Sequence, residues 1–124
     1  MNVVAQQAAD LLEKAVALLE TKGWCTGHLV HPITGAHCAI GALQMASVNR
    51  TIAGFDPDSL EWREQPEIAL AIQALARGVT DPEHAREHVT SNWQRIVIWN
   101  NSQRSVAFVI DGMRRAAKEL ANDA

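Results

Sequence analysis

The chain of 124 residues lacks the features that would assign it to several specialised classes of protein. No apolar run approaches the length of about 18 residues that a membrane-spanning helix needs. The first ten residues, MNVVAQQAAD, lack the basic start and apolar core of a signal peptide. Neither sign of charge dominates, since 11 Lys and Arg face 14 Asp and Glu for a net charge of −3, which argues against nucleic acid as a partner. We expect a folded protein of the cytoplasm that binds no membrane.

Cysteine is also scarce, and glycine-rich phosphate loops are missing. The two cysteines, Cys25 and Cys38, are expected to be free thiols, because a reducing compartment disfavours disulfides. No GxGxxG or P-loop pattern supports a nucleotide site, so we expect no cofactor. The length suits one domain and not two, which predicts a single helical domain over residues 1–124.

Hydrophobic periodicity predicts a mainly α fold. Apolar residues recur at steps of three and four from about residue 3 to residue 22, and Gly23 suits the position just after a helix. Residues 38–48 are apolar almost all round, which is typical of a buried helix. After a connector over 49–65, further helices are predicted from Pro66 to about Gly78, from about residue 81 to 90, and from about residue 102 to 121.

Three local predictions complete the expected architecture of about five helices. Residues 24–30 and 36–38, joined by the turn PITG, predict a short β-hairpin after the first helix. Asn101 or Ser102 is expected to cap the last helix. The segment 92–99, NWQRIVIW, fits either a helix or a strand.

Several short motifs resemble an uncharacterised family of small actinobacterial and phage-encoded proteins. The matching motifs are Gly23-Trp24, then Gly35 and Cys38 followed by Gly-Ala-Leu at 41–43, and later Trp-Asn-Asn at 99–101 followed by Arg-Ser at 104–105. The resemblance covers about residues 5–47 and 94–118 and implies an origin and a fold, but no activity. Asn101 stands where the family pattern has Asp, which counts against a carboxylate-dependent mechanism.

Cys38 is the candidate nucleophile of the sequence. It lies where the expected hairpin meets a helix, and a helix N-terminus can lower the pKa of a thiol. His28, His84 or His88 could then act as its base. Free cysteines are more often buried packing residues, however, and Cys38 heads an apolar helix.

Two metal motifs are present but weak. Residues 25–38 contain C-x2-H-x2-H-x5-H-C, in which Cys25, His28, His31, His37 and Cys38 offer zinc ligands. A strand would point Cys25 and His28 to opposite faces, so one ion could not bind both. HAREH at 84–88 matches the inverted zinc-peptidase motif but reads equally as a solvated helix. We expect no metal site.

The candidate binding residues are Trp24, Cys38, Trp99 and Asn100. Tryptophans can stack on a ring ligand, but Trp24 and Trp99 are the expected core pair, each in need of an N–H partner, whereas Trp62 and Trp93 are less constrained. Asn100 is expected to satisfy backbone groups at the turn before the last helix. Gly41 is expected to leave room for an indole or a crossing helix.

Weak catalytic motifs favour a non-enzymatic binding or regulatory protein. Its expected partner is a host protein or a small ligand. If the protein is encoded by a phage, it is expected to meet this partner in the host cytoplasm. The sequence also allows the protein to be a homodimer. The alternative is a cysteine-nucleophile hydrolase or transferase that uses Cys38 with His28.

Overall fold

The computed structural model describes residues 2–48, 65–79 and 92–124, and five helices lie within these ranges. They are α1 (Val3–Lys22), α2 (Ala39–Val48), α3 (Pro66–Val79), α4 (Asn92–Ser102) and α5 (Val106–Asp123). The predicted mainly helical class is confirmed. The predicted helix over 81–90 and the predicted connector, except for residue 65, lie outside the described residues.

Helix α1 has the bounds that its sequence pattern predicts. At its start, the side chain of Asn2 accepts a hydrogen bond of 3.0 Å from the backbone N–H of Ala5, which satisfies a donor that the helix cannot pair. At its end, Gly23 has φ of +94°, a value that side chains disfavour, and its N–H donates to Leu19 O. The two ends are therefore defined by local chemistry alone.

Helix α1 is also the centre of the packing. It contacts α5 most extensively and packs on α2 and α3 as well. Val109 and Met113 on α5 are fully buried, as is Ala15 on α1. The first and last helices pair because each has an apolar stripe that must be shielded from water.

Helix α2 is buried on most sides, as its nearly continuous apolar sequence predicts. Gly41 lies under the chain at Leu29, and a Cβ at Gly41 would come within 2.8 Å of the carbonyl carbon of Leu29 and closer still to its oxygen. The space that the missing side chain leaves is thus filled by loop backbone. The expectation of an indole or a crossing helix at this place was wrong.

The undecided segment 92–99 belongs to helix α4, which continues to Ser102. The predicted cap of the last helix was therefore wrong: Asn101 and Ser102 are still helical, and the N-cap of α5 is Ser105, with an extended backbone. The hydroxyl of Ser102 instead donates to Trp99 O at 2.8 Å, a bond that helix ends commonly make.

The side chain of Trp99 on α4 meets α5 at a glycine. A Cβ on Gly112 of α5 would lie 2.7 Å from the ring atom Cζ2 of Trp99. The indole of Trp99 therefore packs directly on the backbone of α5, which explains a glycine in the middle of a helix despite its low helix propensity.

The predicted β-hairpin is not seen as two paired strands. His37 instead makes two isolated bridges, one antiparallel with Val30 and one parallel with Trp24. The chain bends between these two partners, where Gly27 has φ of +80°, so that residues 36–38 lie between two segments that run in opposite directions. Single bridges on both sides of 36–38 replace the expected two-stranded ladder.

Candidate functional site

The candidate site is built around the buried side chain of Asn100, near the end of α4. Its Oδ1 accepts hydrogen bonds from Trp24 Nε1 at 2.8 Å and from the backbone N–H of Ala39 at 3.0 Å. Its Nδ2 donates to the backbone oxygen of Cys25 at 3.1 Å. We call Asn100 with Trp24, Cys25 and Ala39 the Asn100 junction. It joins the chain after α1, the first residue of α2 and the end of α4.

The Asn100 junction explains why the parallel pairing of Trp24 with His37 does not continue. In a parallel pairing that continued beyond Trp24 and His37, the N–H of Ala39 would donate to the oxygen of Cys25. The amide of Asn100 takes both of these groups instead. The pairing therefore stops after one bridge, and every backbone group involved still has a partner.

Asn100 was predicted to be structural, and the structure specifies which groups it satisfies. It bonds the chain that follows α1 and the start of α2, more than 60 residues away in sequence, whereas the groups predicted were at the turn before the last helix. Sequence reasoning expected a local role because asparagine bonds local backbone in most turns.

Asn101 completes the anchoring of the loop. Its Oδ1 accepts a bond of 3.1 Å from the backbone N–H of Gly27 and one of 3.3 Å from Asn100 Nδ2. Both bonds use this side chain as an acceptor, so a carboxylate, the group that the family pattern places at this position, could make them as well.

Cys38 is buried, with 4% of its surface exposed, and packs in the hydrophobic core. Its Sγ accepts a hydrogen bond from the backbone N–H of Gly41 at 3.3 Å. Burial raises the pKa of the Cys38 thiol to about 11, because the loss of hydration outweighs the nearby backbone N–H groups of Gly41 and Ile40. The helix N-terminus therefore does not make this thiol acidic.

The other members of the cysteine–histidine cluster point to different partners. Cys25 Sγ lies 3.4 Å from both His28 O and Ala36 O, and burial raises the pKa of its thiol. The rings of His28 and His31 meet edge to face at 5.5 Å. Within the described ranges, no three His, Cys, Asp or Glu side chains are placed to hold a metal ion. His84 and His88 lie outside those ranges.

His37 is the cluster member whose environment the sequence did not indicate. It is buried, and its Nδ1 has no hydrogen-bond partner. Burial lowers the pKa of His37, and the positive charge of Lys22 lowers it further. The imidazole is consequently held in its neutral form, which avoids an unpaired buried charge.

The two neighbouring arginines near the C-terminus each lie beside a carboxylate. Arg114 pairs with Glu20 of α1 at 3.2 Å, and Arg115 pairs with Asp111 at 3.1 Å. These exposed pairs add little stability, but they place an opposite charge beside each arginine.

Among the described helices, none is long and apolar enough to cross a membrane.

A groove of about 660 Å³ runs between α1 and the end of α2. Lys14, Leu18, Thr21 and Met45 are among its lining residues. None of the four predicted binding residues, Trp24, Cys38, Trp99 and Asn100, is among the residues that line it. The structure instead places Trp24 and Asn100 in the Asn100 junction, Cys38 in the core next to it, and Trp99 against Gly112 of α5.

The comparisons place this helical protein in a family. A family model described as "Family of unknown function (DUF6197)" matches residues 4–119, and the chain belongs to that family. No curated protein and no solved structure matches the chain. The predicted membership of an uncharacterised family is thereby confirmed.

Proposed function

We propose that this protein is a non-enzymatic binding protein that inserts Ile33 into an apolar pocket of a partner protein. The observation that carries the proposal is the exposure of Ile33, which is 88% exposed at the tip of the loop between α1 and α2. Single exposed apolar residues are common. Ile33 differs from an ordinary one because the turn that presents it is internally fixed.

The turn at residues 31–35 is held by its own hydrogen bonds. The N–H of His31 donates to Ala36 O at 2.7 Å, and the N–H of Gly35 donates to His31 O at 3.0 Å. The ring nitrogen Nδ1 of His31 accepts from the N–H of Ile33 at 3.2 Å and from that of Thr34 at 3.3 Å. A side chain presented by such an ordered turn loses little conformational entropy on binding.

The loop is also fixed to the helices at several points. Asn101 bonds the N–H of Gly27, and the N–H of Cys38 donates to Leu29 O at 3.1 Å. The Asn100 junction closes the base of the loop. A rigid scaffold that carries an exposed apolar tip is the arrangement that interface hot spots favour.

The chemistry of the buried residues supports binding over catalysis. Cys38, the nucleophile that the sequence suggested, is buried with a raised pKa, whereas a nucleophile needs an exposed thiolate. Asn100 uses its amide for structural bonds.

We propose further that the protein is encoded by a phage or an actinobacterium and meets a host protein in the cytoplasm.

Capture with a single-residue variant tests this proposal. Ile33→Asp and the control Ile98→Asp, which changes the same residue type at a 56% exposed position of α4, are immobilised beside the wild-type protein and exposed to a lysate of the source organism. We expect a protein that the wild type and Ile98→Asp retain and Ile33→Asp loses. Equal retention by all three, with both variants folded by circular dichroism, would contradict the role of Ile33.

A further inference from the structure

We propose that Cys25 and Cys38 form an intramolecular disulfide when the folded protein meets a small-molecule disulfide such as oxidised glutathione. Both cysteines are free thiols in the structure. The two cysteines lie on chain segments that pair with each other. The proposed disulfide does not depend on the proposed binding role of Ile33.

The backbone hydrogen bonds set the register of these segments. The N–H of His37 donates to Gly23 O at 3.0 Å, and the N–H of Cys25 donates to His37 O at 3.0 Å. These two bonds pair Trp24 with His37 in a parallel bridge. In a parallel pairing the next residues, here Cys25 and Cys38, are neighbours on the opposite face.

The residues that precede the bridge are in contact on this face. A Cβ built on Gly23 lies 3.4 Å from the Cβ of Ala36, and Gly23 and Ala36 precede the bridge as Cys25 and Cys38 follow it. Paired segments lie about 4.8 Å apart, and a disulfide needs a Cα separation of roughly 4.4–6.8 Å. The register therefore gives the two cysteines a separation that a disulfide can span.

The Cys25 thiol already reaches the segment that carries Cys38. Cys25 Sγ lies 3.4 Å from Ala36 O, two residues before Cys38. Their exposure differs, since Cys25 is half-buried and Cys38 is buried. An oxidant in solution will therefore reach Cys25 first, and Cys38 will complete the bond.

The reaction proceeds by two thiol–disulfide exchanges. The thiolate of Cys25 attacks one sulfur of oxidised glutathione, which forms a mixed disulfide and releases one glutathione thiolate. The thiolate of Cys38 then attacks Cys25 Sγ and expels the second glutathione. Two protein thiols are oxidised to one disulfide, one glutathione disulfide is reduced to two thiols, and the two protons are taken up by the departing thiolates.

Mass spectrometry of the folded full-length protein tests the proposal. After incubation with oxidised glutathione at pH 8 and acid quenching, we expect the wild type to lose about 2 Da with no dimer and no lasting glutathione adduct. Cys38→Ser should stop at one glutathione adduct on Cys25, because the second exchange is missing. Cys25→Ser should stay largely unmodified.

The same reaction in the unfolded chain shows whether the fold, and not only the short separation in sequence, brings the two thiols together. In a glutathione redox buffer, the effective concentration of one thiol for the other should be at least about tenfold higher in the folded protein than in 8 M urea. By linkage, the oxidised protein should then unfold at a higher temperature than the reduced protein, by roughly 5 °C or more. A lasting adduct in the wild type, an absence of reaction, or an effective concentration that is not higher in the folded state would overturn the proposal.

Discussion

At the scale of single residues, Asn100 does more than any other described side chain to connect distant parts of the chain. Its one amide bonds an indole, a helix N-terminus and a loop carbonyl. Because Asn100 is buried, water cannot replace the bonds that a substitution removes. Its contribution to stability should therefore be large.

Replacing Asn100 with leucine, which is similar in size, should lower the free energy of unfolding by about 2–4 kcal/mol. The N–H of Ala39 would then be buried without an acceptor. Urea unfolding of Asn100→Leu should be compared with Asn92→Ala, a change at an exposed asparagine of the same helix. A loss no larger than that of the control would show that the Asn100 junction is not structural.

His37 predicts a dependence of stability on pH. Above about pH 6.5, imidazole is neutral in both the folded and the unfolded chain. Below that pH the unfolded chain binds a proton, whereas the folded protein resists protonation because burial lowers the pKa of His37. Stability should therefore fall as the pH decreases from 6.5 toward the lowered pKa of the folded state.

Urea titrations from pH 7.5 to pH 5 measure this effect. His37→Gln should show a weaker pH dependence than the wild type, whereas His28→Gln, a change at an exposed histidine, should leave the dependence as it is. If His37→Gln retains the full pH dependence of the wild type, other groups must cause it.

At the scale of elements, the sequence predicted those structures whose causes are local. The bounds of α1 follow from its apolar periodicity and from Asn2 and Gly23 at its ends. The conformation of the loop between α1 and α2 could not be predicted in the same way. Its bonds to Asn100 and Asn101 come from more than 60 residues away in sequence, and no local pattern shows such partners.

The glycines offer a test of how closely the elements pack. Gly41→Ala would place a methyl group against the backbone at Leu29, which cannot move as a side chain could. We expect a loss of about 2–4 kcal/mol from the required shift of α2 or the loop. Gly78→Ala, where no atom lies within 4 Å of the new Cβ, should instead stabilise α3 by up to about 1 kcal/mol.

Thermal unfolding of the two variants checks this pair. Opposite signs of the change in Tm are expected. A Gly41→Ala variant as stable as the wild type would mean that the loop does not lie on α2 as the structure has it.

The pairing of α1 with α5 is tested by two adjacent residues. Val109 is fully buried, while Phe108 is 59% exposed. Val109→Asp should cost several kcal/mol, because it buries a charge without a partner. Phe108→Asp should change the free energy of unfolding far less. Similar losses in the two variants would show that the stripe on α5 is not buried.

At the scale of the whole molecule, the four residues proposed from the sequence as binding residues take part in the packing between elements. Cys38 and Asn100 are buried, whereas Trp24 and Trp99 are half-buried and Trp99 packs against α5. The exposed feature of this region is Ile33, which the sequence analysis passed over. An isoleucine in a short turn with proline and glycine was the available signal, because turns seldom bury such a residue.

The central claim is that the Asn100 junction is structural and that Cys38 is not a nucleophile toward molecules in solution. Its most direct test is the rate at which iodoacetamide alkylates Cys38 at neutral pH in a folded Cys25→Ser variant. With a pKa of about 11 and 4% exposure, Cys38 should react at least about 100-fold more slowly than a free-thiol reference. The rate should approach that of the reference when urea unfolds the protein. Alkylation of the folded variant faster than the reference would contradict the account and assign Cys38 to nucleophilic chemistry.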